Sequence, residues 1–152
     1  MKKIIKIGFV FAFILFVSGC NKKAVTCTIE NDQSASGYVI KTTYNIYSNK
    51  DIVTKVETNE VITSKNNTIL AYFEKNNKDK YDSENKKYGG YTVNVLNKDG
   101  KVTTNITIDY NKMDVDKFVT DNTAMKSYVN DKHQVTLKGA KTLYESLGAT
   151  CK

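Results

Sequence analysis

The stretch TYNIYSNKDIVTKVETNEVI, residues 43–62, reads as two strands joined by a turn. Extended slightly upstream, it places Tyr38, Ile40, Thr42, Tyr44 and Ile46 on one face and Lys41, Thr43 and Asn45 on the other. Successive side chains of a strand point to opposite faces, so this period of two predicts a half-buried strand. Ser48-Asn49-Lys50-Asp51 has turn chemistry. Beyond it, Ile52, Thr54, Val56, Thr58 and Ile62 repeat the inward set, with Lys55, Glu57 and Asn59 outward. The two runs predict a long antiparallel hairpin with one face toward the core. Glu60 falls in phase with Val56 and Ile62. A carboxylate on an apolar face needs partners. It is either a functional acid or, more simply, a residue near the strand's end reached by water or a lysine.

Working outward, the same logic fills in the rest. Thr26 to Glu30 predicts a first strand and Asn31 to Gly37 a loop. After the hairpin, Ser64 is placed to cap a helix whose apolar positions are Ile69, Leu70, Tyr72, Phe73 and Tyr81, with Asn76, Asn77, Lys78 and Lys80 toward water. A polar linker then ends at Gly89-Gly90. Tyr91, Val93 and Val95, the turn Asn97-Lys98-Asp99-Gly100, then Val102, Thr104, Ile106, Ile108 and Tyr110 form a second hairpin. Its four-residue loop ending in glycine suits a type I turn followed by a residue at positive φ. Asp114 is placed to cap a short helix containing Val115, Phe118 and Val119, and residues 121–131 are ambiguous. Thr136 caps a last helix that shares Leu137, Ala140, Leu143, Tyr144 and Leu147 on one face and stops at Gly148. Strands and helices are segregated. This predicts an α+β fold: an antiparallel sheet of two hairpins, with the N-terminal strand beside them, packed against a middle helix and a C-terminal helix.

The chain begins with a different kind of signal. MKKIIK is cationic, Ile7 to Val17 is apolar apart from Gly8, and Val17-Ser18-Gly19-Cys20 is followed at once by Asn21-Lys22-Lys23. The apolar run is short of the roughly 20 residues that span a bilayer. A charged start, a short apolar run and small residues at its end make a secretory leader. Residues 17–20 resemble the lipobox of bacterial lipoproteins. That resemblance implies cleavage between Gly19 and Cys20 and a thioether-linked diacylglycerol on Cys20. The expected organisation is a cleaved leader over 1–19, a lipidated tether over 20–25 and a single α+β domain over 26–152. Two acyl chains at about 0.8 kcal/mol per buried CH₂ hold a protein firmly to a membrane. The expected location is the extracytoplasmic face of the cell membrane.

Composition narrows the function classes. All 23 basic residues are lysine, and tryptophan and proline are absent. With the leader removed, 20 lysines face 16 acids, leaving +4 in place of +7. The lysines are scattered among acids and no arginine stripe exists, so nucleic acid is not an expected partner. Of the three cysteines, Cys20 goes to lipid. Cys27 and Cys151 remain near the two ends of the mature chain. An even pair in an exported protein points to a disulfide; the alternative is two unpaired thiols. There is no CxxC, and His133 is the sole histidine, which leaves no zinc ligand set.

Three stretches together carry a family resemblance: TYNIYSNKDIVTKVETNEVI, NITIDYNKMDVDKFV and VTLKGAKTLYESLGATCK. With the lipobox they resemble the YehR-like bacterial lipoproteins, small exported proteins of unknown function. The likeness covers most of the mature chain and rests on the order of apolar and turn positions. It implies a lipidated cysteine, an antiparallel sheet and a C-terminal helix, and it supplies no catalytic residues. The Cys27 and Cys151 pairing is a reading of this chain and not of the family.

A search for chemistry returns little. His133 lies in the polar run Asn130-Asp131-Lys132-His133-Gln134, no GxSxG occurs, and a surface histidine is the simpler reading. Gly89-Gly90 precedes a strand, so it is a turn and not a phosphate cradle. Asp79, Asp82 and Glu84 lack calcium-loop spacing, and Asp114 and Asp116 read as helix capping. Of the tyrosines, Tyr38, Tyr44, Tyr91 and Tyr110 fall on inward faces, while Tyr47, Tyr72 and Tyr88 are candidates for a sticky surface. The expected function is a non-enzymatic, lipid-anchored binding or interaction module with no cofactor and a protein or small-molecule partner. The alternatives are a carrier with a cleft lined by Ile40, Tyr44, Val56 and Phe73, and a hydrolase using Glu60 with a lysine.

Overall fold

The computed structural model describes residues 24–152. Residues 1–23, on which the expected leader, Gly19 and the expected lipidation position Cys20 fall, lie outside the described residues. The elements run β1 (Ala24–Gln33), β2 (Tyr38–Asn49), β3 (Ile52–Ser64), α1 (Asn67–Tyr88), β4 (Tyr91–Lys98), β5 (Lys101–Asp109), α2 (Val115–Asp121), α3 (Leu137–Ser146) and β6 (Thr150–Cys151). They form one six-stranded sheet in the order β4-β5-β3-β2-β1-β6, with every neighbouring pair antiparallel. The α+β class stands. β1 is longer than expected, beginning at Ala24 inside the stretch read as tether and taking the first three residues, Asn31 to Gln33, of the stretch read as loop.

The opening hairpin pairs as read, with one correction. Tyr47 faces Lys55, but the next rung pairs Ser48 with Val53, so Thr54 is an extra residue in β3. Such a bulge reverses the alternation on one side of it. Val53 and Ser48 are therefore buried, and Ile52 and Thr54 are not the inward residues that unbroken alternation predicts. The second hairpin also turns more tightly than expected. Lys98 pairs with Lys101, leaving Asp99-Gly100 as a two-residue loop. Both residues have positive φ, +53° and +72°, which is the mirror turn that matches strand twist.

α1 starts at Asn66, whose side chain accepts a hydrogen bond from the Thr68 amide at 2.9 Å, and not at Ser64. Ser64 ends β3, where its hydroxyl donates to the Gly37 carbonyl at 2.7 Å. The helix continues to Tyr88 through the segment read as a linker. Its buried side chains are Leu70, Asn77 and Tyr88, while Tyr72 is 64% exposed. Asn77 and Tyr88 thus face the protein, the reverse of the sequence expectation, while Tyr72 leaves the helix's apolar face and takes the surface position also read for it. Asp114 and Thr136 cap α2 and α3 as read, accepting from the Lys117 and Gly139 amides. Leu147 is 58% exposed and leaves the apolar face assigned to it.

All three helices pack on the same face of the sheet. α1 covers Ile62 and Val102 with Leu70, and Tyr38, Ile40, Phe73 and Val95 close around them. α3 covers Val25, Cys27, Ile46 and Val56 with Ala140 and Tyr144. Burying side chains of this size contributes about 1.5–3 kcal/mol each, so the two clusters carry most of the apolar driving force.

Cys27 and Cys151 form a disulfide across β1 and β6, with Cα atoms 4.0 Å apart. The adjacent pair, Thr26 and Lys152, exchanges both backbone hydrogen bonds, at 3.1 and 2.8 Å. The cysteines therefore occupy the non-hydrogen-bonded position, where facing side chains come closest. The bond closes a loop of sequence separation 124. On the chain-entropy account, such a loop contributes about 5 kcal/mol by restricting the unfolded chain.

Gly139 lies in α3 where the helix meets the end of a 3₁₀ turn over Thr123–Tyr128. A Cβ built on it would stand 2.2 Å from the Tyr128 carbonyl oxygen. Gly139→Ala normally gains about 1 kcal/mol in a helix interior. Here the backbone clash wins, and the variant should lose about 1–3 kcal/mol. Urea unfolding measures this, and a more stable variant would mean that α3 does not pack so closely.

Candidate functional site

Between the two apolar clusters runs a polar seam. Thr42, Glu60 and Thr104 face one another across β2, β3 and β5 on the helix side of the sheet. Asn77 of α1 reaches down onto them, donating to the Glu60 carboxylate at 2.7 Å and to the Thr104 hydroxyl at 2.9 Å. Glu60 is thus mid-strand and satisfied by a helix amide, not by a lysine or by fraying at a strand end. The four residues named as the wall of a carrier cleft divide across the seam. Ile40 and Phe73 pack with Leu70, and Tyr44 and Val56 pack with Tyr144.

Tyrosines line the seam. Tyr44 stacks on Tyr144 with ring centroids 4.1 Å apart, and Tyr81 lies 6.3 Å from Tyr91. Burial pushes the Tyr81 phenol up to about 12, assisted by Glu60, Tyr44 and Glu84. Burial alone raises Tyr110 to about 12. Tyr144 is raised by burial first and then by Tyr110, Tyr44, Tyr81 and Tyr91. Tyr91 is raised by burial and then by Tyr110 and Glu84. These phenols crowd one another, and each resists the others' ionisation. Tyr88, read as a surface residue, is instead 5% exposed, with its ring edge-on to Phe118 at 5.2 Å.

Two concavities lie at opposite ends of the sheet. The first holds about 270 Å³ and is lined by Val53, Tyr110, Asp114, Asp116, Lys132 and His133, among others. His133 is a surface loop histidine, as read, and its Nδ1 lies 2.7 Å from Asp116 Oδ1; its φ is +54°. The lining contains no serine, threonine or cysteine. The two members of the pair are distant in sequence, and capping explained Asp116 on its own. The second concavity, about 650 Å³, lies where β1 meets β2, β3 leaves the sheet and the β4–β5 hairpin turns.

The sheet's other face carries no helix among the described residues. Thr28, Thr43, Asn59, Asn105 and Asn94 form one row across five strands. Thr26, Asn45, Glu57, Thr107 and Thr92 form the next. One cross-strand bond runs within each row, from Asn59 to Asn105 at 2.8 Å in the first and from Thr26 to Asn45 at 2.9 Å in the second. Its charges are largely paired, Lys41 with Glu30 at 3.0 Å and Lys55 with Glu57 at 2.6 Å. Among the described residues no three of histidine, cysteine, aspartate and glutamate gather as a metal site. No described helix is long and apolar enough to cross a membrane.

The geometry defines a class: an α+β domain whose single antiparallel sheet is covered on one face only. Comparison with solved structures places it in that class. The solution structure of the E. coli YehR protein superposes with a TM-score of 0.56 at 17% identity, covering 88% of this chain and 93% of that one. The solution structure of a protein from Streptococcus pneumoniae TIGR4 superposes with a TM-score of 0.50 at 14% identity, covering 100% and 99%. The fold is YehR-like. No protein-family model and no curated protein matches the chain.

The tyrosine seam has a pH signature. A phenol whose folded pKa lies above its unfolded value near 10 adds stability that is present below pH 10 and is lost as pH rises through the folded value. With Tyr81 and Tyr110 at about 12, stability should fall between pH 10 and 12. A spectrophotometric titration should show phenolate absorbance still rising at the top of that window in native protein. In urea the late component should collapse into the main step. A native curve that coincides with the urea curve would remove the buried seam.

Proposed function

We propose that this chain is a lipid-anchored extracytoplasmic protein of the YehR-like lipoprotein family, acting as a non-enzymatic binding or interaction module. The observation that carries the reading is the bare polar face of the sheet. Five strands present threonine and asparagine rows to solvent, a surface wide and regular enough to meet a partner. The leader and its Gly19-Cys20 junction support the anchor, and the YehR-like fold supports the family. The non-enzymatic reading is supported by the partner of Glu60, the acid of the hydrolase alternative. It is bonded to the Asn77 amide of α1 and not to a lysine.

The anchor is tested on the full chain purified from membranes. Mass spectrometry of its N-terminus should find Cys20 as the first residue, carrying diacylglycerol. Cys20→Ser should abolish the lipid and leave precursor or released protein. Its thermal stability should stay within about 0.5 kcal/mol of wild type, as expected for a surface change outside the core. Photo-crosslinking on intact cells should join the wild-type outer face to an envelope component. An unmodified N-terminus elsewhere than Cys20 would sink the anchor, and an outer face that crosslinks to nothing would sink the module.

A further inference from the structure

The two ends of the sheet are not equivalent. β1 enters at Ala24, paired with Tyr47, and the turn at Lys50-Asp51, the end of β5 and the His133 pocket share that end. Between Cys20 and Ala24 lie only Asn21, Lys22 and Lys23, a reach of at most about 14 Å of extended chain. β1 is ten residues long, so the far end stands about 33 Å further out. On the anchored reading above, on which this inference rests, the Ala24 end faces the bilayer. The 650 Å³ groove at the other end faces outward.

The groove's lining sets its ligand. It holds one cation, Lys65, and one anion, Asp99, so it has no net charge to attract a polyanion or a polycation. Thr63 brings an exposed hydroxyl that can donate and accept, while the Ser34 and Ser64 hydroxyls donate to Asp32 and to the Gly37 carbonyl. Tyr38 supplies a flat apolar surface, its ring held by an edge contact with Phe73 at 5.1 Å. Gly37 and Gly100 carry no side chains to fill the space. The groove also opens onto the bare face. Val39 and Thr63, which line it, are a facing pair on that side of the sheet, and the row Glu30, Lys41, Val61, Thr103 and Leu96, its ion pair neutral overall, stands between them and the threonine and asparagine rows. A groove of balanced charge with one fixed aromatic ring, leading to hydroxyls and amides on the bare face, matches a hydroxyl-rich chain with alternating polar edges and apolar C–H faces. We propose that this outward groove, continued across the bare sheet face, binds an uncharged glycan strand.

The test uses the full-length, isotopically labelled protein in detergent, with a soluble tetramer of N-acetylglucosamine as probe. Amide shifts should concentrate at Gly37, Ser64 and Gly100. The paired variant Ser34→Arg with Thr63→Arg adds bulk at two exposed positions and should weaken binding at least about tenfold. Lys65→Gln should leave affinity within about twofold. Wild-type spectra that do not move at about 10 mM sugar would overturn the proposal. So would shifts confined to the His133 end or the tyrosine seam, which would leave the binding-module reading standing at another site. A sulfated tetrasaccharide that binds more tightly and loses its affinity in Lys65→Gln would replace the neutral glycan with an anion. Detergent removes the membrane from the measurement, so a failed anchor and a failed groove are told apart. The first shows in the N-terminal mass, the second in the spectra.

Discussion

The ladder on either side of β3 is the constraint from which the rest follows. β2 pairs with it from Tyr38 to Asn49 and β5 from Lys101 to Asp109, so its backbone groups are satisfied on both edges over most of its length. Side chains on β3 then have only two directions. Val56 and Ile62 take one, with Glu60 between them, and Lys55, Glu57 and Asn59 take the other. One face must be covered and the other can stay wet. Every helix consequently lies on one side, and the bare face is what remains when all the apolar residues have been assigned to the other.

Covering one face with two separated helices leaves a seam, and its chemistry is set by what the helices do not reach. Leu70 of α1 and Ala140 of α3 close the two clusters. The row between them is polar, and it is stabilised because Asn77 supplies donors to both Glu60 and Thr104. A buried polar group with its partner lost costs about 1–3 kcal/mol, so this row is a structural cross-brace as much as a gap in the core. The Cys27–Cys151 bond completes the same job at the edge. It fastens the two-residue β6 to β1, and through Ala149 and Tyr144 it holds α3 against the sheet.

Much of this was legible in the sequence. The alternation in residues 38–62 gives the hairpin, and Asp114 and Thr136 give the starts of α2 and α3. What the sequence hid has local causes. The bulge at Thr54 is invisible because both Ile52 and Val53 are apolar, and either phase satisfies a count of hydrophobic residues. Asn77 was misread because its residue type says water, although its place in the series Leu70, Phe73, Asn77, Tyr81 says core. Ser64 has the right chemistry for a cap, but it was claimed first by the Gly37 carbonyl. The Asp116–His133 contact joins residues that no pattern links, since only the fold brings them together. The groove beside Gly37, Ser64 and Gly100 is likewise assembled from three separate connections, each of which reads as an ordinary turn.

On the proposed anchoring, the sheet is covered on one side, tethered at one end and hollowed at the other, a polar object in the geometric sense. Its binding reading depends on that polarity. Paramagnetic broadening by a gadolinium-chelating lipid, with the mature protein anchored in vesicles, measures it directly. The amides of Lys50, Asp51, Asn111 and Lys132 should broaden strongly, and those of Gly37, Ser64 and Gly100 should keep their intensity. Strong broadening at Gly37, Ser64 and Gly100, or equal broadening at both ends, would contradict the account.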